Sequence, residues 1–320
     1  MAQFDAFNGD ADGICALIQL RHARPVDSVL VTGVKRDIQL VDRIEAGAGD
    51  RVTVLDVSFD KNRAGVQRLL DAGASVFYAD HHFAGEIAPS DHLTALIDTS
   101  PNVCTSLLIN RHLGGRFAQW AVTGAFGDNL EKSARALAAE IGLDERQQAL
   151  LRDLGTYINY NGYGAAPADL HFAPADLFAR LRPHRSPFDF IAEDADSFGR
   201  LEAGYREDMA SAAAVAPSAE TAKTAVYFLP DAAWARRVSG VYSNDLANAS
   251  PDRAHAVLGE RSDGSYLVSV RAPLSNKAGA DELCRRFPSG GGRAAAAGIN
   301  DLPADQRDAF TAAFEEFYGS

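Results

Sequence analysis

Ser75-Val76-Phe77-Tyr78-Ala79-Asp80-His81-His82 is the stretch of sequence that decides the fold. Its apolar first half predicts a short buried strand, and its last three residues have side chains that bind metals or transfer protons. In an open α/β sheet, ligands bind at the carboxyl ends of the strands. The stretch therefore predicts a parallel sheet and a functional site at one edge of that sheet.

Four other aspartates also stand at or near the ends of predicted strands or other secondary-structure elements. They are Asp10 and Asp12 after the short apolar start, Asp56 after Arg51–Leu55, and Asp128 in Gly127-Asp128-Asn129. If these elements are neighbours, five carboxylates and an imidazole converge. Carboxylate oxygens with histidine suit Mn²⁺ or Mg²⁺, and a pair of such ions serves the hydrolysis of phosphoesters or phosphoanhydrides.

Each of these signals alone has an ordinary structural explanation. Plain turns and calcium loops share the Asp10-Ala11-Asp12-Gly13 pattern, and an aspartate at a strand end often caps the next helix. A single histidine in a core is more often hydrogen-bonded than bound to a metal. The hypothesis of a metal site depends on the order and spacing of all the motifs together.

The composition is that of a globular protein with an excess of acidic over basic residues. Of the 320 residues, 47% are hydrophobic and 23% charged, and the formal net charge is −12. Proteins that bind long nucleic acids usually have a basic surface, because neutralisation of phosphates supplies much of the affinity. The charge favours a short phosphorylated substrate held by a few cations, with no long nucleic-acid track.

The sequence predicts a cytoplasmic protein without membrane association. No apolar run approaches the ~18 residues of a membrane helix, and Met1–Asp5 lacks the basic start and apolar core of a signal peptide. The cysteines, Cys15, Cys104 and Cys284, have no CxxC spacing. They are therefore interpreted as buried thiols and not as a zinc site or a disulfide framework.

Alternating strand and helix patterns predict an α/β fold with a mainly parallel sheet covered on both faces. The strands are expected at 3–7, 28–34, 52–55, 75–78 and 93–97, and the helices between them at 13–21, 38–44 and 61–72. Helical spacing then continues from 102 to 160. The apolar helices at 102–126 fit either a core or a homodimer contact. The cluster at 157–164 is expected to break the helix, as a cleft lining or a surface turn.

The chain is predicted to contain a second, smaller α/β domain. Residues 165–222 are rich in alanine, proline and acidic side chains, and strand patterns return from Thr224. We predict a catalytic metal-binding domain at 1–195, a linker at 196–223 and a substrate-binding domain at 224–320. The active site is expected in the cleft between the two domains.

The order of the motifs, ending in Gly290-Gly291-Gly292-Arg293, resembles the DHH phosphoesterase family over nearly the whole chain. This family includes single-strand-specific exonucleases, nano-RNases, cyclic-dinucleotide phosphodiesterases and manganese-dependent pyrophosphatases. The resemblance implies a DHH domain followed by a DHH-associated domain, and two Mn²⁺ ions, with Mg²⁺ as an alternative. The implied metal ligands are Asp10, Asp12, Asp56, His81 and Asp128, with Asp56 bridging both ions. His82 would touch the scissile phosphate or the leaving oxygen, and Asp80 would orient the histidines.

The glycine-rich motif implies phosphate binding by the second domain. Gly290, Gly291 and Gly292 offer backbone N–H groups that can approach an anion closely, although a plain turn before a helix has the same composition. Arg271 and Arg293 are the cations expected near the substrate, because a guanidinium binds phosphate through two parallel hydrogen bonds.

Two positions depart from the family pattern. Ala6 stands where many members have a histidine that ligates the first metal, so this ion either binds more weakly or has other ligands. Arg293 stands where the family has a histidine, and it cannot act as a neutral acceptor or proton shuttle near pH 7. This second departure leaves the choice of substrate open.

The predicted activity is metal-dependent hydrolysis of short oligonucleotides or linear dinucleotides to 5′-mononucleotides. One alternative is a phosphoanhydride hydrolase, a pyrophosphatase or short-chain exopolyphosphatase, which would require more cations than Arg271, Lys277 and Arg293 provide. Another is a non-catalytic nucleotide-binding protein, suggested by Ala6 and Arg293. The retained carboxylates and histidines disfavour a protein that only binds.

Overall fold

The first part of the chain contains a parallel five-stranded sheet. The computed structural model describes residues 1–319, and the chain divides into two compact units between Tyr205 and Arg206. The strands of the first unit are β1 (Gln3–Phe7), β2 (Val29–Val31), β3 (Arg51–Leu55), β4 (Ser75–Asp80) and β5 (Leu93–Ile97). Their order is β2-β1-β3-β4-β5, and every pair is parallel. The predicted α/β fold is confirmed.

Both faces of this sheet are buried. Helices α1 (Ala11–Ala23) and α2 (Phe59–Asp71) follow β1 and β3. Successive strand residues point to opposite faces, so Phe7 and Leu55 are buried in the apolar cluster that contains α1 residues. Val54 and Tyr78 are buried in the other cluster, with residues of α2. Burial on both faces explains why the strands are continuous apolar runs.

A helical layer completes the first unit. Its helices are α3 (Thr105–His112), α4 (Ala118–Gly127), α5 (Glu131–Glu140), α6 (Glu145–Asn161), α7 (Pro174–Leu181), α8 (Pro187–Glu193) and the first part of α9 (Ala195–Ala213), which continues into the second unit. The apolar residues of α3 and α4 are buried within this unit, so a core accounts for their character. Within residues 1–319, no helix has the length and apolar character needed to cross a membrane.

Two predicted segments differ from the structure. The stretch at 38–44, predicted as a helix, forms only a single 3₁₀ turn at Val41–Arg43. The side chain of Asn62 on α2 accepts a hydrogen bond from the N–H group of Val41 and donates one to the carbonyl group of Ile38, in place of helical hydrogen bonds. The stretch at 196–223, predicted as a linker, is helical as far as Ala213. The division between the units lies inside α9.

The second unit is a smaller α/β structure around a six-stranded sheet. Its elements are β6 (Ala219–Glu220), β7 (Thr224–Leu229), α10 (Ala233–Ala249), β8 (Ala254–Glu260), β9 (Tyr266–Arg271), α11 (Ala280–Cys284), β10 (Gly290–Arg293), β11 (Ala296–Leu302) and α12 (Arg307–Gly319). The strand order is β10-β11-β9-β8-β7-β6; β7 and β8 are parallel, and the other pairs are antiparallel. Phe310 and Phe314 bury α12 against this unit's own core.

The glycine-rich motif is an edge strand, neither a loop nor a turn before a helix. β10 pairs with β11 in antiparallel register, with Gly291 opposite Gly298. A side chain at Gly290 would clash with the carbonyl group of Cys284, and Gly292 has φ 140°, which favours glycine. The glycines therefore let the edge strand lie close to its neighbours.

Candidate metal centre

Three adjacent parallel strands bring the acidic motifs to one edge of the first sheet. The register pairs Phe7 with Leu55 and Leu55 with Ala79, so the residues after these positions emerge side by side. The four aspartates that follow, Asp10, Asp12, Asp56 and Asp80, are each at most 2% exposed. Buried carboxylates require hydrogen-bond donors or cations as partners, because burial disfavours an isolated charge.

Glycines shape the turn that presents the first two aspartates. A side chain at Gly9 would clash with the backbone of a neighbouring loop, and one at Gly13 would clash with the carbonyl group of Asn8. Asp10 begins α1, where its Oδ1 accepts hydrogen bonds from the N–H groups of Asp12 and Gly13, both at 3.1 Å. This is the usual role of an aspartate at a helix start, so one oxygen of Asp10 has a structural function.

The N-termini of two other helices hold the carboxylates of Asp12 and Asp80. Asp12 accepts hydrogen bonds from the N–H groups of Thr105 and Ser106 at the start of α3, both at 2.7 Å. Asp80 Oδ2 accepts one from the N–H group of Phe59 at the start of α2, at 3.3 Å. Because the first turn of a helix has partial positive charge, it favours a nearby anion. These contacts fix the positions of both carboxylates.

Asp56 has a left-handed backbone at the end of β3. Its φ is 59°, which residues other than glycine rarely adopt. Its N–H group donates to the carbonyl group of Ala79 at 3.0 Å, and its Oδ1 accepts a hydrogen bond from the hydroxyl group of Thr105 at 3.1 Å. Strained conformations of this kind cluster at functional sites, where the surrounding structure maintains them.

His81 lies at the centre of the cluster. Its Nε2 is 3.4 Å from Asp56 Oδ1, 3.9 Å from Asp128 Oδ2 and 4.0 Å from Asp12 Oδ2. Two overlapping groups have ligand atoms within 4.8 Å of one another: Asp12, His81 and Asp128, and Asp56, His81 and His82. In the part of the chain that the structure describes, Asp10 belongs to neither group. His81 and three of the other four predicted ligands therefore lie together.

The carboxylates of this cluster differ in their pKa. Burial raises the pKa of Asp56 well above its usual range, and the charges of Asp12 and Asp10 raise it further. Burial and the same two charges raise the pKa of Asp128 to about 7. Burial alone would also raise the pKa of Asp10, but the ammonium group of Lys35 holds it below its ordinary value. A divalent cation would stabilise the ionised forms of Asp56 and Asp128.

His82 and Asp80 form a hydrogen-bonded pair beside the cluster. Nδ1 of His82 donates to Oδ1 of Asp80 at 2.7 Å, and the ring centroids of His81 and His82 are 4.4 Å apart. The hydrogen bond to Asp80 raises the pKa of His82 despite partial burial. Among the described contacts, the histidine that Asp80 orients is His82, whereas the resemblance implies this role for both histidines.

Lys35 belongs to this centre, although no sequence motif points to it. Its Nζ lies 2.7 Å from Asp10 Oδ2 and 2.8 Å from Asn159 Oδ1, and its side chain is 25% exposed. The available signal is its position directly after the predicted strand at 28–34, since strand-end residues share this edge. Asn159 belongs to the cluster at 157–164, within which α6 ends at Asn161, as predicted.

The predicted substrate-binding residues lie in the second unit. The Nε group of Arg271 donates to Asn244 Oδ1 at 2.7 Å, and its Nη2 donates to the carbonyl group of Gly240 at 3.4 Å, both on α10. Arg293 is exposed at the end of the edge strand β10. It stays a prediction that Arg271, Arg293 and the glycines of β10 contact a phosphate of the substrate. The cleft between the units likewise stays a prediction.

The residues present fit a divalent cation. Carboxylate oxygens with one imidazole are ligands that Mn²⁺ and Mg²⁺ accept, and the two groups around His81 place these atoms together. Ala6, which stands in place of a ligating histidine, is fully buried among apolar residues. Oδ1 of Asn8 is buried without a hydrogen-bond partner among the described residues. The carboxylate and imidazole ligands lie together around His81, and Asn8 offers a further oxygen after β1.

Comparisons with known proteins identify the fold. No protein-family model and no curated protein matches the sequence. The structure is similar to the exonuclease RecJ bound to manganese, with a TM-score of 0.64 and 18% identity over 99% of this chain and 89% of that one. It is similar to the DHH domain of a member of a family of ribosomal proteins, with a TM-score of 0.63 and 13% identity over 99% and 86% of the two chains.

A third similar structure is the pGpG-specific phosphodiesterase PggH from Vibrio cholerae. The TM-score is 0.57 and the identity 15%, over 98% of this chain and 97% of that chain. At these identities, the likeness establishes the fold. The chain has the fold of the DHH-domain proteins, so the resemblance drawn from the motifs is confirmed at that level.

Proposed function

We propose that this chain, which has the DHH-domain fold, is a metal-dependent phosphodiesterase that hydrolyses linear dinucleotides or short oligonucleotides to 5′-mononucleotides. The supporting observation is the cluster around His81, with the Asp80–His82 pair beside it. The cluster offers anionic ligands, and the pair offers a proton next to them. A protein that only bound nucleotides would not need both.

The proposed metal ligands are Asp12, Asp56, His81 and Asp128. When bound, a divalent cation supplies positive charge at the phosphate and lowers the pKa of a coordinated water. The backbone N–H groups of α3 hold Asp12, and the hydroxyl group of Thr105 holds Asp56. Both carboxylates are thus positioned before the substrate arrives, which avoids reorganisation during the reaction.

His82 is the proposed general acid. Its raised pKa favours the protonated ring, and Asp80 fixes the orientation through Nδ1. The side chain is 46% exposed, so a substrate can reach the other ring nitrogen. As a water oxygen bonds to phosphorus and the bond from phosphorus to the 3′ oxygen breaks, the proton on that nitrogen would pass to the leaving 3′ oxygen. The leaving nucleotide then has a free 3′ hydroxyl group, and the phosphate stays on the 5′ oxygen of the other nucleotide.

A short nucleotide is the substrate class that two observations support. The net charge of −12 disfavours binding of a long polyanion. The similar structures include an exonuclease and a phosphodiesterase named for pGpG, and the latter is matched over 97% of its length. Arg271 and Arg293 are the proposed phosphate-binding cations of the second unit.

The proposal is tested by Mn²⁺-dependent hydrolysis of a substrate panel: a linear dinucleotide, a pentanucleotide RNA, a cyclic dinucleotide, pyrophosphate and a long single strand. We expect the dinucleotide and the pentanucleotide to be cleaved most efficiently, with 5′-mononucleotides as products. Turnover of pyrophosphate alone would identify a phosphoanhydride hydrolase. Tight nucleotide binding without any turnover would identify a non-catalytic binding protein.

A further inference from the structure

We infer that the ammonium group of Lys35 takes the place of one metal ion, so that the centre binds a single divalent cation. The inference rests on the metal binding of the proposed function and is independent of the substrate. It follows from the contacts of Asp10, the first of the predicted metal ligands.

The protein itself engages both carboxylate oxygens of Asp10. Oδ1 accepts hydrogen bonds from the N–H groups of Asp12 and Gly13, and Oδ2 lies 2.7 Å from Lys35 Nζ. Only 2% of Asp10 is exposed. An ion that used Asp10 as a ligand would lie close to the ammonium group and be repelled by it. Asp10 therefore has a cation already, which agrees with its absence from both ligand groups around His81.

Lys35 is held in this position from several sides. Its N–H group donates to the carbonyl group of Gly162 at 2.8 Å, and its own carbonyl group accepts from Asn8 Nδ2 at 3.4 Å. Its Nζ lies 2.8 Å from Asn159 Oδ1 and 5.7 Å from the ring centroid of Tyr163. A lysine on a solvated surface would not have its backbone and its ammonium group fixed together.

The ligand supply agrees with one ion. Ala6 in β1 provides no imidazole, whereas His81 has three carboxylates within 4.0 Å. If Asp10, Asp12, Asp56 and Asp128 are ionised, one ammonium group and one divalent ion leave a single net negative charge. The single divalent ion would therefore bind at the carboxylates around His81.

The test is the number of Mn²⁺ ions bound per chain, counted by native mass spectrometry after EDTA treatment and titration with MnCl₂. We expect one ion for the wild type and for Lys35→Arg, which keeps the cation. Lys35→Met removes the ammonium group at similar length and is expected to bind two ions. Lys61→Met is the matched control, because Lys61 is an exposed lysine of α2 at 60% side-chain exposure, and it should bind one.

Electron paramagnetic resonance provides a second readout that is independent of activity. The wild type should show the resolved hyperfine spectrum of an isolated Mn²⁺ ion, and Lys35→Met the broadened spectrum of two coupled ions. Two ions of similar affinity in the wild type, or one ion in a folded Lys35→Met protein, would overturn the inference. Absence of any Mn²⁺ binding by the wild type would instead overturn the metal centre of the proposed function as well.

Discussion

Asp10 and Asp128 belong to one acidic centre but differ in how their charge is stabilised. Lys35 holds the pKa of Asp10 below its ordinary value, although burial acts in the opposite direction. Burial and neighbouring carboxylates raise the pKa of Asp128 to about 7. We call Asp10, Lys35 and Asn159 the lysine half, and Asp12, Asp56, His81 and Asp128 the histidine half. A single lysine thus separates a half that already has its cation from a half that requires one.

The largest effect is expected from a change that breaks the histidine half. Asp56→Asn removes the charge nearest to His81 Nε2, while asparagine tolerates the left-handed φ of 59°. We expect kcat/KM with saturating Mn²⁺ to fall on the order of a thousandfold, as for loss of a principal electrostatic group. Asp56→Ala should abolish Mn²⁺-dependent turnover.

The control for Asp56 is Asp60→Asn, since Asp60 has a partly exposed carboxylate at the start of α2. This change should leave kcat/KM unaltered. Circular dichroism establishes whether each variant is folded. Appreciable activity in a folded Asp56→Ala protein would contradict the ligand role of Asp56.

His82 should separate proton transfer from metal binding within the same site. We expect His82→Asn to lower kcat about a hundredfold, the lower range for general acid–base catalysis, and to leave Mn²⁺ affinity unchanged. Because a general acid acts when protonated, the wild-type rate should decline as pH rises through the pKa of His82. This decline should be absent in the variant.

His81→Asn is the matched comparison for His82. This change should weaken Mn²⁺ binding, measured by isothermal titration calorimetry, because His81 lies between three carboxylates. If His82→Asn instead weakened Mn²⁺ binding as strongly as His81→Asn, His82 would be a ligand and not the general acid.

Arg293 should affect substrate binding without changing either half of the centre. We expect Arg293→Ala to raise KM for the linear dinucleotide about tenfold at constant kcat, since a hydrogen bond to a charged group contributes ~1.5–3 kcal/mol. Arg285→Ala, at an exposed arginine paired with Asp281, is the control. An unchanged KM would mean that Arg293 is an ordinary surface residue.

The smallest expected effect is on thermal stability. Removal of a carboxylate should raise Tm in the histidine half and lower it in the lysine half. In the metal-free protein, Asp128 has a pKa of about 7 against an ordinary value of 3.8. Its contribution to stability is therefore fully present below about pH 4 and is lost as pH rises through about 7. In EDTA at pH 8, Asp128→Asn should raise Tm by a few degrees, given ~2–4 °C per kcal/mol, and have little effect at pH 4.

Asp10→Asn should lower Tm in the same experiment, because it leaves Lys35 without its anionic partner. Thermal unfolding followed by circular dichroism measures both variants. A lower Tm for Asp128→Asn at pH 8 would contradict the account of the histidine half.

Part of the histidine half follows from the sequence, because Asp56 and His81 stand directly after strands. Asp128 instead follows helix α4. Buried apolar runs before Asp56 and Asp80 predict parallel strands, and parallel strands present their carboxyl ends at one edge. The register of β1, β3 and β4 then places the motifs next to each other. Local pattern and tertiary position agree for these residues, and the ligand set itself came from the resemblance to the DHH family.

The lysine half does not follow from local pattern. A lysine after a strand is usually solvated, and its contact with Asn159 depends on how α6 packs in the folded unit. Strand β10 is a similar case, because a run of glycines has low strand propensity and forms a strand here through pairing with β11. In both places the structure depends on long-range contacts.

The most direct test of the metal centre is hydrolysis of a linear dinucleotide by EDTA-treated protein before and after Mn²⁺ is restored. The account predicts no turnover in the metal-free protein and recovery of 5′-mononucleotide formation with Mn²⁺ in the wild type, without recovery in Asp56→Asn. Equal turnover with and without Mn²⁺ would contradict it.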